Sequence, residues 1–361
     1  MKHMQAVGRR DDGVILSGSG LFGIALELQD TPDGSVWKLM DLLDGTRDID
    51  AVVARMRHDD PDLDGQSVRD SVRALIDLGL VEDAGAAAPG SLSAEEIERY
   101  AGNTRYFSWV DMAPRPSPLE LQRRLKQSRV SVLGLGGTGG AMAMSLAAVG
   151  VGSLLCADYD VVEPGNLNRQ LLYSEDDVGT SKVDTAVRKL SGINRHVKVT
   201  GLTVKVGSVE DLIPLMDADI FLMCADHPQP ELQMWTNEAA QLTGTPWLIS
   251  RYSGPLTLIG MFVPFRTPCY TCLIHQYPTM GPDAEVDWQP LHPEPPGHAV
   301  IAPVAVVGGQ LGALEAICHL TGMPAQTAGR IFRQSLVVYD HNFFLDLKFW
   351  PECPDCGGGN G

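Results

Sequence analysis

Leu133-Gly134-Leu135-Gly136-Gly137-Thr138-Gly139-Gly140 follows Val130-Ser131-Val132 and runs into the small-residue stretch Ala141 to Val149. A strand, a glycine turn and a helix in that order place free backbone N–H groups at a helix N-terminus, where a phosphate can sit. The polar residues that follow narrow the chemistry. Asp158-Tyr159-Asp160 ends a second apolar run; Asn166-Leu167-Asn168-Arg169-Gln170, Lys182 and Asp226 come after it. A nucleotide site supplied with an arginine, a lysine and a late aspartate suits ATP chemistry better than hydride transfer. A second group is made of sulfur: Cys269-Tyr270-Thr271-Cys272 and Cys353-Pro354-Asp355-Cys356 are two Cys-x-x-Cys pairs among seven cysteines.

Composition limits what these residues can serve. The chain has 361 residues, 44% of them hydrophobic, which is ample for two domains with full cores. A formal charge of −17 argues against non-specific nucleic-acid binding, because a phosphate backbone would be repelled. No run of about 18 apolar residues appears, so no membrane span is expected. Met1-Lys2-His3-Met4-Gln5 lacks an apolar secretory core, which makes the cytoplasm the expected compartment. In a reducing compartment, paired cysteines suggest a metal rather than disulfides.

The elements that must position these groups are legible as patterns. Residues 1 to about 88 read as a small separate domain. Gly13 to Leu16 and Leu21 to Leu26 are strand candidates, and Ser35 to Leu43 has helical spacing. Asp48 opens a second helix. Ser67 is the expected cap of a third, which ends at Gly79 before Leu80-Val81. This order suggests a winged-helix-like α+β module. Ala84 to Ser91 is a linker by composition, and Ser93-Ala94-Glu95-Glu96 is a helix start with acidic first-turn residues. From Val130 strands and helices alternate: strands at Ser153–Asp158, 197–204, 220–225, 247–250 and 256–263, and helices at 181–190, 230–241 and 304–320. Ser335 to Asp340 is expected to be a late strand. The series predicts an α/β fold with a Rossmann-like, mostly parallel sheet and a site at the C-terminal strand ends.

With these residues in view, the segment from about 105 to 357 resembles the ThiF and ubiquitin-activating-enzyme family of adenylyltransferases. The intervals carry the resemblance: Lys182 lies 13 residues after Arg169, and Asp226 lies 44 after Lys182. The resemblance implies ATP-dependent formation of an acyl-adenylate and pyrophosphate. It implies catalytic roles for Arg169, Lys182 and Asp226, with Asp226 carrying Mg²⁺. Nucleotide contacts are implied for Gly134, Gly136, Gly137, Gly139, Asp158, Asp160, Asn166, Arg169, Gln170 and Lys182, with Asp158 at the ribose. Cys269, Cys272, Cys353 and Cys356 would bind a structural Zn²⁺ as a closed set of four thiolates. Cys156, Cys224 and Cys318 lie in apolar runs and read as core.

Two features depart from the family pattern. The crossover loop from about Leu273 to Pro303 contains no cysteine; it has Asp283, Glu285, Asp287, His292, Glu294 and His298, and His298 is a candidate base. Thioester and persulfide chemistry are therefore not expected. Relatives often have an Arg-Tyr-x-Arg element whose second arginine reaches a neighbouring subunit's ATP. This chain has Arg105-Tyr106-Phe107-Ser108 there, leaving Arg105 as the possible substitute. The N-terminal module, with Leu42-Leu43-Asp44-Gly45, Asp48-Ile49-Asp50 and Asp77-Leu78-Gly79-Leu80-Val81-Glu82, resembles the PqqD-type precursor-recognition domain. Such a module implies binding of a peptide as an added strand. The expected organisation is a recognition domain at 1–88, a linker and helix at 89–104, and an adenylyltransferase domain at 105–361. A homodimer acting on a precursor peptide is expected, without nucleic-acid or membrane partners. Activation of a ubiquitin-like sulfur carrier, and a non-catalytic role presenting leader peptides to a cyclodehydratase, remain as alternatives.

Overall fold

The computed structural model describes residues 1–2, 7–19, 24–277 and 299–359. Asp283, Glu285, Asp287, His292, Glu294 and His298 lie outside the described residues. The chain divides into two compact units, Met1–Arg124 and Leu125–Gly361.

In the first unit, β1 (Val7–Arg9), β2 (Val14–Ser19) and β3 (Ile24–Gln29) form an antiparallel sheet in the order β1-β2-β3. Helices α1 (Ser35–Leu42), α2 (Ile49–Asp59) and α3 (Gly65–Asp77) follow. Their apolar stripes meet in one core with Ile15: Leu39 and Met40 from α1, Val52 and Met56 from α2, Val68 and Val72 from α3. Asp48 caps α2 by accepting from the Ala51 amide. The cap of α3 is Asp64 rather than Ser67, because the carboxylate accepts from both the Gln66 and Ser67 amides and so starts the helix earlier. Gly79 closes the module with φ +71°, where a Cβ would lie 1.9 Å from the Met112 carbonyl oxygen. Helices α4 (Ala94–Arg99), started by a Ser93/Glu96 capping box, and α5 (Ala101–Val110) follow, then α6 (Glu120–Gln127).

The second unit holds an eight-stranded sheet. Its strands are β4 (Arg129–Leu133), β5 (Ser153–Asp158), β6 (Lys198–Thr203), β7 (Ile220–Met223), β8 (Trp247–Ser253), β9 (Leu256–Phe262), β10 (Arg330–Ser335) and β11 (Asn342–Asp346). They lie in the order β11-β10-β9-β8-β7-β4-β5-β6. Strands β8 to β6 in that order are parallel, and β9, β10 and β11 add antiparallel. The fold class is the expected one. The helices are α7 (Gly137–Val149), α8 (Lys182–Ile193), α9 (Glu231–Thr243), α10 (Tyr270–Gln276) and α11 (Ala302–Thr321). Helix α11 is long and apolar enough, by length and composition, to cross a membrane, with 56% of its apolar window buried. It packs as a core helix: Gly309 abuts Thr138 and Ala141 of α7, and Gly312 abuts Met142 and Leu248.

Ser335 to Asp340 is not a strand of its own: Ser335 is the last residue of β10. Residues 336–341 are the hairpin connection between β10 and β11, which pair from Arg330↔Asp346 to Gln334↔Asn342. The Ser335 hydroxyl accepts from the Val338 amide, which turns the chain, and Val337 and Tyr339 stand 72% and 77% exposed. The β-branched run looked like a strand, but tertiary pairing overrode its propensity.

Candidate functional site

At the C-terminal ends of β4, β5, β7 and β8 the second unit encloses a cavity of about 330 Å³. Its floor is the glycine turn. Gly134 adopts φ +89°, and a Cβ there would lie 2.6 Å from the Ala225 nitrogen. Gly137 is packed against Ala305 and the Arg169 carbonyl, and Gly139 against the Gly134 carbonyl, where a Cβ would come within 1.9 Å. Gly136 differs: its Cβ position meets only Gln170 Nε2 at 3.7 Å, so backbone is open there. Leu135 is held at both ends, donating its N–H to Asp158 Oδ2 at 2.7 Å and accepting from the Tyr173 hydroxyl at 2.9 Å. No side chain caps α7. Its first-turn amides and positive dipole end are thus available to an anion.

The cavity brings together Gly134, Gly136, Gly137, Asp158, Asp160, Asn166, Arg169, Gln170, Lys182 and Asp226. Gly139 does not line it; its smallness serves packing. Asp158 is buried, and its two oxygens accept from the Leu135, Tyr159 and Asp160 amides. An ionised carboxylate offers about four acceptor positions, so a ribose hydroxyl would find only one open. Lys182 is 7% exposed and donates to Asp160 Oδ2 at 2.9 Å. Asn166 is buried, with Oδ1 accepting from the Glu163 amide at 3.1 Å. Arg169 Nη1 donates to the Gly165 carbonyl and to Asn168 Oδ1, both at 2.9 Å. Gln170 is buried with an unpartnered Oε1.

Asp226 follows β7. Among the described residues its carboxylate has no hydrogen bond or ion pair, and it does not cap α9, whose N-cap is Pro230. Its charge nevertheless reaches its neighbours. Burial pushes the Cys224 thiol up to about 12, with Asp226 adding to it. The Tyr252 phenol is pushed up by burial and then by Asp226, while Arg169 pulls it back. Cys156 and Cys318 are likewise pushed up by burial, to about 12 and about 11, so neither is a thiolate at neutral pH. Arg251 and Tyr252, at the end of β8, also line the cavity. Sequence reading stopped that strand at Ser250. The rule that α/β sites gather at C-terminal strand ends was the available signal. Arg105, in the first unit, is exposed on α5, and Ser108 is buried beside Glu82.

The four paired cysteines meet. Sγ of Cys269 lies 3.9 Å from that of Cys272 and 3.6 Å from that of Cys353, and Cys272 Sγ lies 3.5 Å from Cys356 Sγ. All four sulfurs fall within 4.8 Å of one another, a cluster that could hold a metal ion. Its surroundings are fixed as well. Asp355 Oδ2 accepts from Asn237 Nδ2 at 2.7 Å and from Thr271 Oγ1, and the Trp350 amide donates to Cys272 Sγ at 3.4 Å.

A model of the ThiF family matches residues 111–355. The Bacillus subtilis sulfur carrier protein ThiS adenylyltransferase is 35% identical over 239 residues, covering 65% of this chain and 67% of that protein. The Escherichia coli molybdopterin-synthase adenylyltransferase is 32% identical over 241 residues, covering 65% and 90%. The chain therefore belongs to the ThiF family, and it is an ATP-dependent adenylyltransferase. Among solved structures, E. coli MccB with ATP has a TM-score of 0.74 at 23% identity, covering 99% of each chain. That is a likeness of fold, and it runs through the N-terminal unit as well.

Proposed function

We propose that this protein uses Mg-ATP to activate a carboxylate of a ribosomally made precursor peptide in peptide natural-product biosynthesis. The carboxylate oxygen attacks the α-phosphorus, the bond to the leaving pyrophosphate breaks, and an acyl-adenylate forms. The observation that carries the reading is a pair of aspartates in one cavity: Asp158 is committed to three amides and Asp226 to none. An uncommitted carboxylate in one cavity with Arg169 and Lys182 suits Mg²⁺, which takes one or two carboxylates and shares phosphate oxygens. The amides at Gly136 and Gly137 would cradle phosphate, with Gly134 and Gly139 holding the turn in shape. Asn166, Gln170, Arg169 and Lys182 would hold the triphosphate and offset charge on the leaving group. Asp158 and Asp160 would border the ribose.

The cysteine cluster suits Zn²⁺. A tetrahedral site with Zn–S bonds of ~2.3 Å needs sulfur separations of ~3.8 Å, beside the 3.5, 3.6 and 3.9 Å found here. Four thiolates leave no position for water, so the ion's task would be to hold the fold.

Several observations support a peptide acceptor. MccB, whose fold this chain shares over its length, is described as a microcin C7 biosynthetic enzyme and was solved with N-formylated MccA. The small sheet of the first unit has β1 and β3 at its edges, each able to accept an added strand. We assign residues 1–88 to precursor recognition, 89–104 to a linker and helix, and 105–361 to adenylation, in a cytoplasmic homodimer. A second reading, adenylation of a sulfur-carrier protein, is favoured by the names of the sequence relatives. The crossover segment without cysteine weighs against onward thioester transfer. Exchange of labelled pyrophosphate into ATP tests the choice. Exchange driven by a short precursor supports the peptide reading, exchange only with a carrier protein ending in Gly-Gly supports the second, and none with any acceptor refutes both.

A further inference from the structure

Adenylation requires a carboxylate to approach a triphosphate of the same sign, so an unspent cation is needed where the acceptor enters. Among the described residues, three cationic side chains line the cavity: Arg169, Lys182 and Arg251. Lys182 is spent on Asp160 at 2.9 Å. Arg169 is held by the Gly165 carbonyl and Asn168. Among the described residues no carboxylate lies within salt-bridge reach of Arg251, and its hydrogen bond is to a neutral amide, from Nη2 to Gln229 Oε1 at 3.2 Å. Among the described residues Arg169 has no carboxylate partner either, but Arg251 stands at the end of β8, on a different element from the segment that carries Arg169.

Its position fits an acceptor rather than the nucleotide. Met223 of β7 pairs with Ile249 of β8, so Arg251 leaves the sheet level with Ala225, one residue before Asp226. Trp247, Ile249 and Arg251 share one face of β8 by the period of two. Tyr252 is on the other face, packed with the Val300 and Val304 cluster. Arg251 therefore stands across the cavity from the glycine turn, on the α9 side of the Asp226 segment. It is half-buried, and a planar guanidinium presents two parallel N–H groups to a carboxylate.

We propose that Arg251 receives the acceptor's carboxylate and holds it for attack on the α-phosphate. This rests on the adenylation reading but not on the acceptor's being a peptide. Displacement of Gln229 by the incoming carboxylate exchanges a neutral hydrogen bond for a charge-assisted pair. Arg251 is then a binding residue for the second substrate, separate from the groups that hold ATP.

The test compares the full-length wild type with Arg251→Ala and Arg251→Lys. ATP affinity is measured by calorimetry, and pyrophosphate exchange is measured against a pool of random heptapeptides with free C-terminal carboxylates. The expected result is an acceptor KM raised about tenfold or more in Arg251→Ala, the loss of one charge-assisted pair. Arg251→Lys should recover part of it, and ATP affinity should be unchanged in both. An unchanged acceptor KM, or ATP affinity that falls by the same factor, overturns the proposal while leaving adenylation intact. If the wild type exchanges only with a Gly-Gly-ended carrier protein, the peptide reading fails and the same KM comparison, made with that carrier, decides Arg251. No exchange with either acceptor overturns both.

Discussion

In the nucleotide cavity, Lys182 already faces Asp160 at 2.9 Å and Asp158 is already held by three amides. In the cysteine cluster four sulfurs crowd within 4.8 Å, and burial pushes Cys272 up to about 11. In the first region Lys182 and Asp158 are committed before a ligand arrives, while among the described residues Asp226, Arg169 and Arg251 have no oppositely charged partner. On the zinc reading, the second would gain its stability from a cation that turns crowded thiols into thiolates. The contrast separates a site made for turnover from one made for permanence. The cavity has to bind and release, so part of its charge is held within the protein and part is left for the ligands. A structural zinc would not be released, so the cluster's ligands could depend wholly on the ion.

The largest expected effect breaks the cluster. Removing the metal with a chelator should withdraw folding free energy on the order of 10 kcal/mol, as in small zinc modules. Loss of the thermal transition together with loss of zinc by mass spectrometry checks it. A chelated protein that melts like the untreated one would show that the cluster needs no ion. Next, Asp226→Asn should lower pyrophosphate exchange about 10³-fold, ~4 kcal/mol of transition-state stabilisation, with the melting temperature unchanged. If melting drops as well, the carboxylate has a structural task and the contrast between the two sites narrows.

A third comparison lies within the glycine turn. Gly139→Ala forces a Cβ to within 1.9 Å of the Gly134 carbonyl and should cost about 3 kcal/mol or more. Gly136→Ala meets only Gln170 Nε2 at 3.7 Å, so it should change stability by less than about 1 kcal/mol while weakening ATP binding. Denaturant midpoints and calorimetry distinguish the two; equal destabilisation would mean that Gly136 is a packing residue too. The smallest effect is acid dependence. Hydrogen bonds from Lys189, Ser174 and Arg188 hold the Asp177 carboxyl well below its ordinary 3.8. Because the folded value lies below the unfolded one, this stabilisation is present above pH 3.8 and lost as pH falls beneath it. The stability gap between wild type and Asp177→Asn should therefore shrink on acidification. A gap that stays constant would refute the assignment. Arg188 is 63% exposed, so solvent screening keeps the term modest.

Much of this was legible in the chain. Ser153–Asp158 is a strand with the expected ends, and Asp48 and Ser93 start helices where expected, because these signals are local: an apolar run, or a short acceptor beside free amides. Ser335 to Asp340 misled for the same reason, since propensity cannot see where a partner strand lies. Strands β10 and β11 flank that run and were missed, as was the three-residue β1. The division of labour within the glycine turn was equally hidden. Four glycines look alike in sequence, and only their neighbours distinguish the open Gly136 from Gly139 packed on a carbonyl.

The sequence by itself determined the residue types and intervals of the site, the alternation that yields a parallel sheet, and the two cysteine pairs. Those depend on local chemistry and on distances along the chain. Only the tertiary structure decided which charges are spent and which are free. Asp158 and Asp226 are the same residue type at similar strand ends, yet one faces three amides and the other faces an open cavity. The position of Arg251 in the same cavity was also settled there, because strand register, not sequence spacing, sets what stands level with what.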